Sequence, residues 1–124
     1  MAKILVAEDD KFLSKAYAAK LKKSGFEVAL AVDGEEAISK ARTDKPDVVL
    51  LDLVMPKKDG FDALYDLKQD KITQSIPIIV LSNLGQEEDI KRAKELGAED
   101  YLVKSNIAIQ DVVDKIKQVL SKHK

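Results

Sequence analysis

Residues 48–60 read VVLLDLVMPKKDG, and the fold is decided by how that stretch is understood. The apolar run Val48–Leu51 is bounded by Pro46 before it and by a loop with Pro56 and Gly60 after it. It is short for a helix and begins with β-branched residues. It therefore reads as a strand buried on both faces, as in a parallel sheet. The run ends on Asp52. In open α/β sheets ligands bind just beyond the carboxyl ends of strands. Asp52 thus stands where such an architecture does chemistry, although an aspartate after a strand can equally serve to cap a turn.

The same grammar extends outward. Lys3–Ala7 (KILVA) is a first buried strand, followed at once by Glu8, Asp9 and Asp10. Residues 11–24 have helical spacing, with Leu13, Ala16, Tyr17 and Leu21 as one stripe and Gly25 as the stop. Asp10 is expected to cap this helix and Phe12 to pack at its edge. Phe26–Ala31 alternates as a second strand. Asp33 and Glu36 have capping-box spacing, opening a helix that turns Ala37, Ile38 and Ala41 inward. After the central loop, Asp59 caps a helix over 61–69. A fourth run, Ile78–Leu81, ends on Ser82 and Asn83. A charge-rich helix over 86–96 stops at Gly97, and its face 86–94 reads as solvated. Tyr101–Val103 is a fifth strand, ending on Lys104. Ser105 or Asn106 is expected to cap a last helix that buries Val112, Val113, Ile116, Val119 and Leu120. His123 and the final lysines read as a solvated tail. The longest connection lies around Lys71–Ser75. Strand and helix alternate throughout, which implies a parallel sheet covered by helices on both faces.

Composition narrows the function. The 124 residues are one ordinary domain's length, read as a single domain over 1–124. The chain has no cysteine, which removes disulfides, thiol catalysis and cysteine-built zinc sites. Basic and acidic residues number 21 and 22, for a net charge of −1, which calls for neither nucleic acid nor a membrane surface. No apolar run approaches the ~20 residues of a spanning helix. The opening MAKILVAEDD meets acids too early for a signal peptide. The expectation is a soluble cytoplasmic protein.

The strand ends then supply the chemistry. Strand one delivers Glu8 and Asp9, strand three Asp52, strand four Ser82 and strand five Lys104. In a parallel sheet these ends share one edge. With strand one between strands two and three, they meet at the crevice where the winding reverses. Crowded carboxylates raise one another's pKa. A hard divalent cation relieves that, and an all-oxygen ligand set suits Mg²⁺. Beside such a cation, Asp52 can act as a nucleophile toward a phosphoryl group.

The chain resembles the receiver domains of two-component response regulators over nearly its whole length, with a chemotaxis-regulator-like single-domain form. The resemblance rests on Glu8-Asp9, on Asp52-Leu-Val-Met-Pro-Lys-Lys-Asp59-Gly60, on Ser82, and on Tyr101 three residues before Lys104. It implies a three-layer, doubly wound (βα)5 flavodoxin-like fold with strand order 2-1-3-4-5. It implies Asp52 as acceptor of a phosphoryl group from a sensor histidine kinase or phosphotransfer protein. Asp9, Asp52 and the Val54 carbonyl would bind Mg²⁺, with Glu8 holding it through water. Lys104 and Ser82 would engage the phosphoryl oxygens, and Tyr101 would be an aromatic switch. The face of helix four, strand five and helix five would bind a downstream protein. Such a domain is a switch rather than a turnover enzyme, and stands alone or within a longer regulator.

Two features depart from the family pattern. Ser105 takes the place of a proline after the strand-five lysine, and Asn83 replaces a smaller residue next to the strand-four hydroxyl, where it could touch a phosphate. Three other readings compete. A flavodoxin-like cofactor binder needs a Gly-, Ser- or Thr-rich loop after strand one, where this chain has Glu8-Asp9-Asp10. An aspartyl phosphatase wants an acid two residues after its nucleophile, where this chain has Val54. A designed or purely structural domain would carry the motif unused.

Overall fold

The computed structural model describes residues 2–123. Five parallel strands form one sheet in the order β2-β1-β3-β4-β5. They are β1 (Lys3–Ala7), β2 (Glu27–Ala31), β3 (Val48–Leu51), β4 (Ile78–Ser82) and β5 (Asp100–Val103). Between and after them run α1 (Lys11–Lys23), α2 (Gly34–Asp44), α3 (Gly60–Gln69), α4 (Glu87–Glu95) and α5 (Ile109–Lys122). This is the doubly wound, flavodoxin-like arrangement that the sequence predicts.

Alternation along the strands explains the layers, because successive side chains point to opposite faces. Leu5, Val49, Leu51, Ile78, Val80 and Tyr101 pack with Ala37 and Ala41 of α2, with Phe61, Leu64 and Leu67 of α3, and with Ala93 of α4. Ile4, Val6, Val48, Leu50, Ile79 and Leu81 pack on the other face with Tyr17 and Leu21 of α1 and with Val112, Val113, Ile116 and Val119 of α5. The central β3 is buried along its whole length, whereas β2, at the sheet edge, is only half-buried.

Helix ends follow local chemistry. The Asp10 carboxylate accepts from Phe12 N and Leu13 N, and that of Asp59 accepts from Asp62 N. Asp33 accepts from Glu36 N at 2.8 Å, while Glu36 reaches back past the cap to Val32 N at 2.9 Å. Gly25 and Gly97 follow their helices with φ of +96° and +109°, conformations open to glycine. Thr73, buried in the turn between α3 and β4, donates its hydroxyl to Leu67 O at 2.6 Å.

Several expectations need correction. The buried stripe of α1 is Ser14, Tyr17, Ala18 and Leu21, so Leu13 and Ala16 lie at its margin. Phe12 falls on the opposite side of the helix and is 89% exposed, not packed at the edge. Neither Ser105 nor Asn106 caps the last helix. Lys104–Asn106 is a short 3-10 turn, Ile107 is extended, and Ala108 holds the cap position. Alanine carries no side-chain acceptor, and the side-chain bond at this end comes from Asp111 Oδ2, which accepts from Ala108 N at 3.2 Å. Leu120 is half-buried rather than buried. His123 is exposed, as expected of a solvated tail, with its Nε2 3.1 Å from Glu99 Oε1. Met1 and Lys124 lie outside the described residues.

Candidate functional site

The sheet register assembles the site. Ala7 pairs with Leu51, and the ladder continues one residue further, with Asp52 N donating to Ala7 O and Glu8 N to Ala31 O, both at 3.0 Å. The backbones of Glu8 and Asp52 are thereby fixed side by side. Ser82 pairs with Val103, which puts Lys104 one step beyond the end of that ladder.

The side chains converge. Carboxylate oxygens of Glu8, Asp9 and Asp52 all lie within 4.8 Å of one another. Lys104 Nζ stands 3.1 Å from Asp52 Oδ2 and also donates to Glu8 Oε1. Glu8 is 3% exposed and Asp52 6%, whereas Asp9 is open to solvent. An open cavity of about 370 Å³ spans these residues and is bordered by Asp10, Leu13, Val54, Ser82 and Asn83. Val54 N donates to Asp52 Oδ1 at 3.2 Å, and the Val54 side chain is 59% exposed at the rim. Ser82 is buried, and its Oγ accepts from Leu84 N at 3.3 Å. Tyr101 is buried beneath the following loop and donates its phenol to Leu84 O.

Charge here is unbalanced. Three carboxylates face one ammonium, and two of the three, Glu8 and Asp52, are buried while Asp9 is open to solvent. Burial pushes Glu8 up to about 7, partly offset by the Lys104 hydrogen bond and reinforced by Asp52. Burial also works against the Lys104 cation, but the two carboxylates outweigh it and hold its pKa above the ordinary lysine value. A cation matches the excess in sign, and the oxygen-only donor set fits a hard divalent one.

The loop after β3 is clamped in place. Gly60 N donates to Leu53 O at 2.8 Å, and a Cβ on Gly60 would lie 2.4 Å from Asp52 O. A Cβ on Gly34 would lie 2.1 Å from Lys58 O, so α2 presses on the same loop from the other side. Lys57 is exposed, holds φ of +67° and lies 3.7 Å from Asp33 Oδ2. Lys58 pairs with Asp66 Oδ2 at 2.5 Å. The sequence marks Gly60 as loop punctuation and as the end of the Asp52–Gly60 motif, and the close approach depends on packing that has no local signal.

A family model for the response regulator receiver domain matches residues 4–117. The chain belongs to that family. Receiver domains are signalling switches of two-component systems. The chain is 38% identical over 118 residues to the alkaline phosphatase synthesis transcriptional regulatory protein PhoP of Bacillus subtilis, covering 95% of this chain and 48% of that protein. It is 41% identical over 104 residues to protein PilH of Pseudomonas aeruginosa, covering 84% and 86% of the two chains. It thus spans about half the length of PhoP but most of PilH. The Francisella response regulator 1452 receiver domain superposes with a TM-score of 0.92, at 31% identity and 100% coverage of both chains. The BeF3-activated N-terminal receiver domain of Klebsiella pneumoniae RstA superposes with a TM-score of 0.88, at 30% identity, covering 95% of this chain and 97% of that one. Among the described residues no helix is long and apolar enough to cross a membrane.

Proposed function

We propose that residues 1–124 form a single receiver domain in which Asp52 accepts a phosphoryl group from the phosphohistidine of a sensor kinase or phosphotransfer protein. The observation that carries this is the convergence of Asp52, Glu8 and Lys104 from three strand ends. An Asp52 oxygen attacks phosphorus, the P–N bond breaks, and the imidazole leaves with the bond's electron pair and takes up a proton. A carboxylate needs no general base for this attack. Asp9 and Asp52 would hold Mg²⁺ directly with the Val54 carbonyl, and Glu8 would hold it through water. Bound there, Mg²⁺ would neutralise charge developing on the transferring oxygens.

The residues of the chain do the positioning. Lys104 already bonds Asp52 and can turn to a phosphoryl oxygen without leaving the cavity. Ser82, beside it on β4, can donate to another oxygen. A new dianion that draws Ser82 inward pulls on Leu84, since Leu84 N donates to the same hydroxyl. Leu84 O in turn holds Tyr101, so the movement reaches β5 and the α4–β5–α5 face. A downstream protein would read that face, with no direct contact to nucleic acid or membrane. On this reading donor and domain meet in the cytoplasm.

The test is incubation with a small phosphodonor and Mg²⁺, followed by intact mass. A single-phosphate adduct on the native chain that is lost in Asp52→Asn supports the assignment. Failure to form an adduct, or its persistence in Asp52→Asn, refutes it.

A further inference from the structure

Helix α4 is the least anchored helix of the fold. Of its nine residues only Ala93 is fully buried, with Ile90 and, just past its end, Leu96 partly packed against the core. Its cap residue, Gln86, makes no side-chain bond to the first turn. Such an element owes its position to few contacts, and each one left matters.

One of those contacts points at the acceptor loop. The Arg92 guanidinium carbon lies 4.1 Å above the centroid of the Phe61 ring. That is well inside the range for attraction between a cation and an aromatic face. Phe61 is buried in the first turn of α3, immediately after Gly60. Gly60 is pressed against the backbone of Asp52 and Leu53 and bonded to Leu53 O. A short chain of contacts therefore runs from Arg92 through Phe61 and Gly60 to Asp52. The chain's other arginine, Arg42 on α2, pairs instead with Asp70 at 3.1 Å.

We propose that Arg92 is a positioning residue, a clasp that sets α4 against the acceptor loop and so couples the helix to phosphorylation of Asp52. The coupling half rests on the phospho-acceptor reading above, whereas the clasp itself does not. Arg92 touches neither the cavity nor a phosphoryl group and acts only through the ring it covers. Lysine in its place keeps the charge but loses the flat stacking surface.

The experiment is a double-mutant cycle of Arg92→Ala and Phe61→Leu, with Arg92→Lys as the conservative variant. Phe61→Leu keeps an apolar side chain at the buried site. Amide hydrogen exchange across residues 84–96 reads the clasp, and the rate of Asp52 phosphorylation by acetyl phosphate with Mg²⁺ reads the coupling. Arg92→Ala should speed exchange in α4 by about threefold and slow phosphorylation by a similar factor, given the usual strength of exposed cation–ring pairs. Arg92→Lys should recover part of both, and Arg92→Ala should add nothing on a Phe61→Leu background. Equal effects of Arg92→Ala on both backgrounds overturn the clasp. Faster exchange with an unchanged phosphorylation rate overturns the coupling. A native chain that takes no phosphoryl group refutes the acceptor reading and the coupling with it, while the exchange cycle still decides the clasp.

Discussion

The ammonium of Lys104, at the end of β5, lies 3.1 Å from Asp52 Oδ2 at the end of β3, so it reaches across the tip of the intervening β4. It also bonds Glu8 beyond β1. Lys104→Met removes the one cation and leaves two buried carboxylates facing each other. Breaking such a pair costs at most roughly 3–5 kcal/mol, and less here because Glu8, already pushed up to about 7, can take up a proton once the lysine is gone. Urea unfolding near neutral pH should show a loss within that bound, and added Mg²⁺ should restore a good part of it. A variant as stable as the native chain without metal would mean the lysine does not compensate these acids.

Gly60→Ala tests the clamp on the loop after β3, which carries the proposed acceptor Asp52. The new Cβ would meet Asp52 O at 2.4 Å and Leu53 Cα at 2.3 Å, both backbone atoms that cannot rotate away. The loop or α3 must shift, at a cost of roughly 1–3 kcal/mol. Acceptor geometry should suffer more than the fold does. The variant should remain folded by circular dichroism yet take a phosphoryl group at least about tenfold more slowly, because small displacements of reacting groups are costly. Native-like phosphorylation would show that the contact does not position Asp52.

How much of this could be read in advance depends on the range of the forces involved. The strands β1, β3 and β4 announce themselves because burial on both faces demands unbroken apolar runs. Asp10, Asp33 and Asp59 are legible as caps because the donors they satisfy lie two or three residues away. Convergence of Glu8, Asp52 and Lys104 follows once the strands are taken as parallel. The exposure of Phe12 did not follow, since a shift of the α1 stripe toward Ser14 and Ala18 decides it. Nor did the Ala108 cap, which is set by the 3-10 turn that Lys104–Asn106 makes on leaving β5. The Gly34–Lys58 contact and the Arg92–Phe61 stack join segments distant in the chain, the Gly60 contact closes one loop on itself, and none leaves a local periodicity.

Tyr101→Phe isolates the bond to Leu84 O. The ring keeps its packing and only the hydroxyl is lost, so the cost should be about 1 kcal/mol by urea unfolding. Burial raises the Tyr101 phenol above its ordinary pKa, so it remains a donor through neutral pH. Amide exchange at Leu84 and Gly85 should quicken as the tether goes. Unchanged exchange there would remove Tyr101 from the path between Ser82 and the α4–β5–α5 face.

Asp100 and Lys115 tie β5 to α5 at 2.9 Å. Desolvation pushes the Asp100 pKa up, but the hydrogen bonds from Lys115 and the Tyr101 backbone N–H, with the charges of Lys115 and Lys94, outweigh it and hold it below the ordinary 3.8. A depressed carboxylate stabilises the fold above its unfolded pKa, and that contribution fades as pH falls through the folded value. Lys115→Ala should therefore cost up to about 1 kcal/mol at neutral pH, the range for a partly exposed pair. The gap from the native chain should close in strongly acid solution. A gap that stays constant with pH would assign the loss to packing of the lysine stem instead.

The rim of the cavity predicts the lifetime of the phosphorylated form. Val54 borders it with an apolar side chain, and Leu84 lies two residues beyond Ser82. Neither can orient a water for attack on phosphorus, because neither offers a hydrogen-bonding group. Hydrolysis of the aspartyl phosphate should therefore be slow. The double variant Val54→Asn, Leu84→Glu puts an amide and a carboxylate in their places, and each can hold a water in line. Its phosphate should be lost about tenfold faster or more, which is modest beside the usual gain from a positioned acid or base. The decay of the adduct, followed by intact mass after removal of the phosphodonor, reads this directly. An unaltered lifetime would mean that access of water is governed elsewhere, with Asn83 the first residue to examine, since it borders the same cavity.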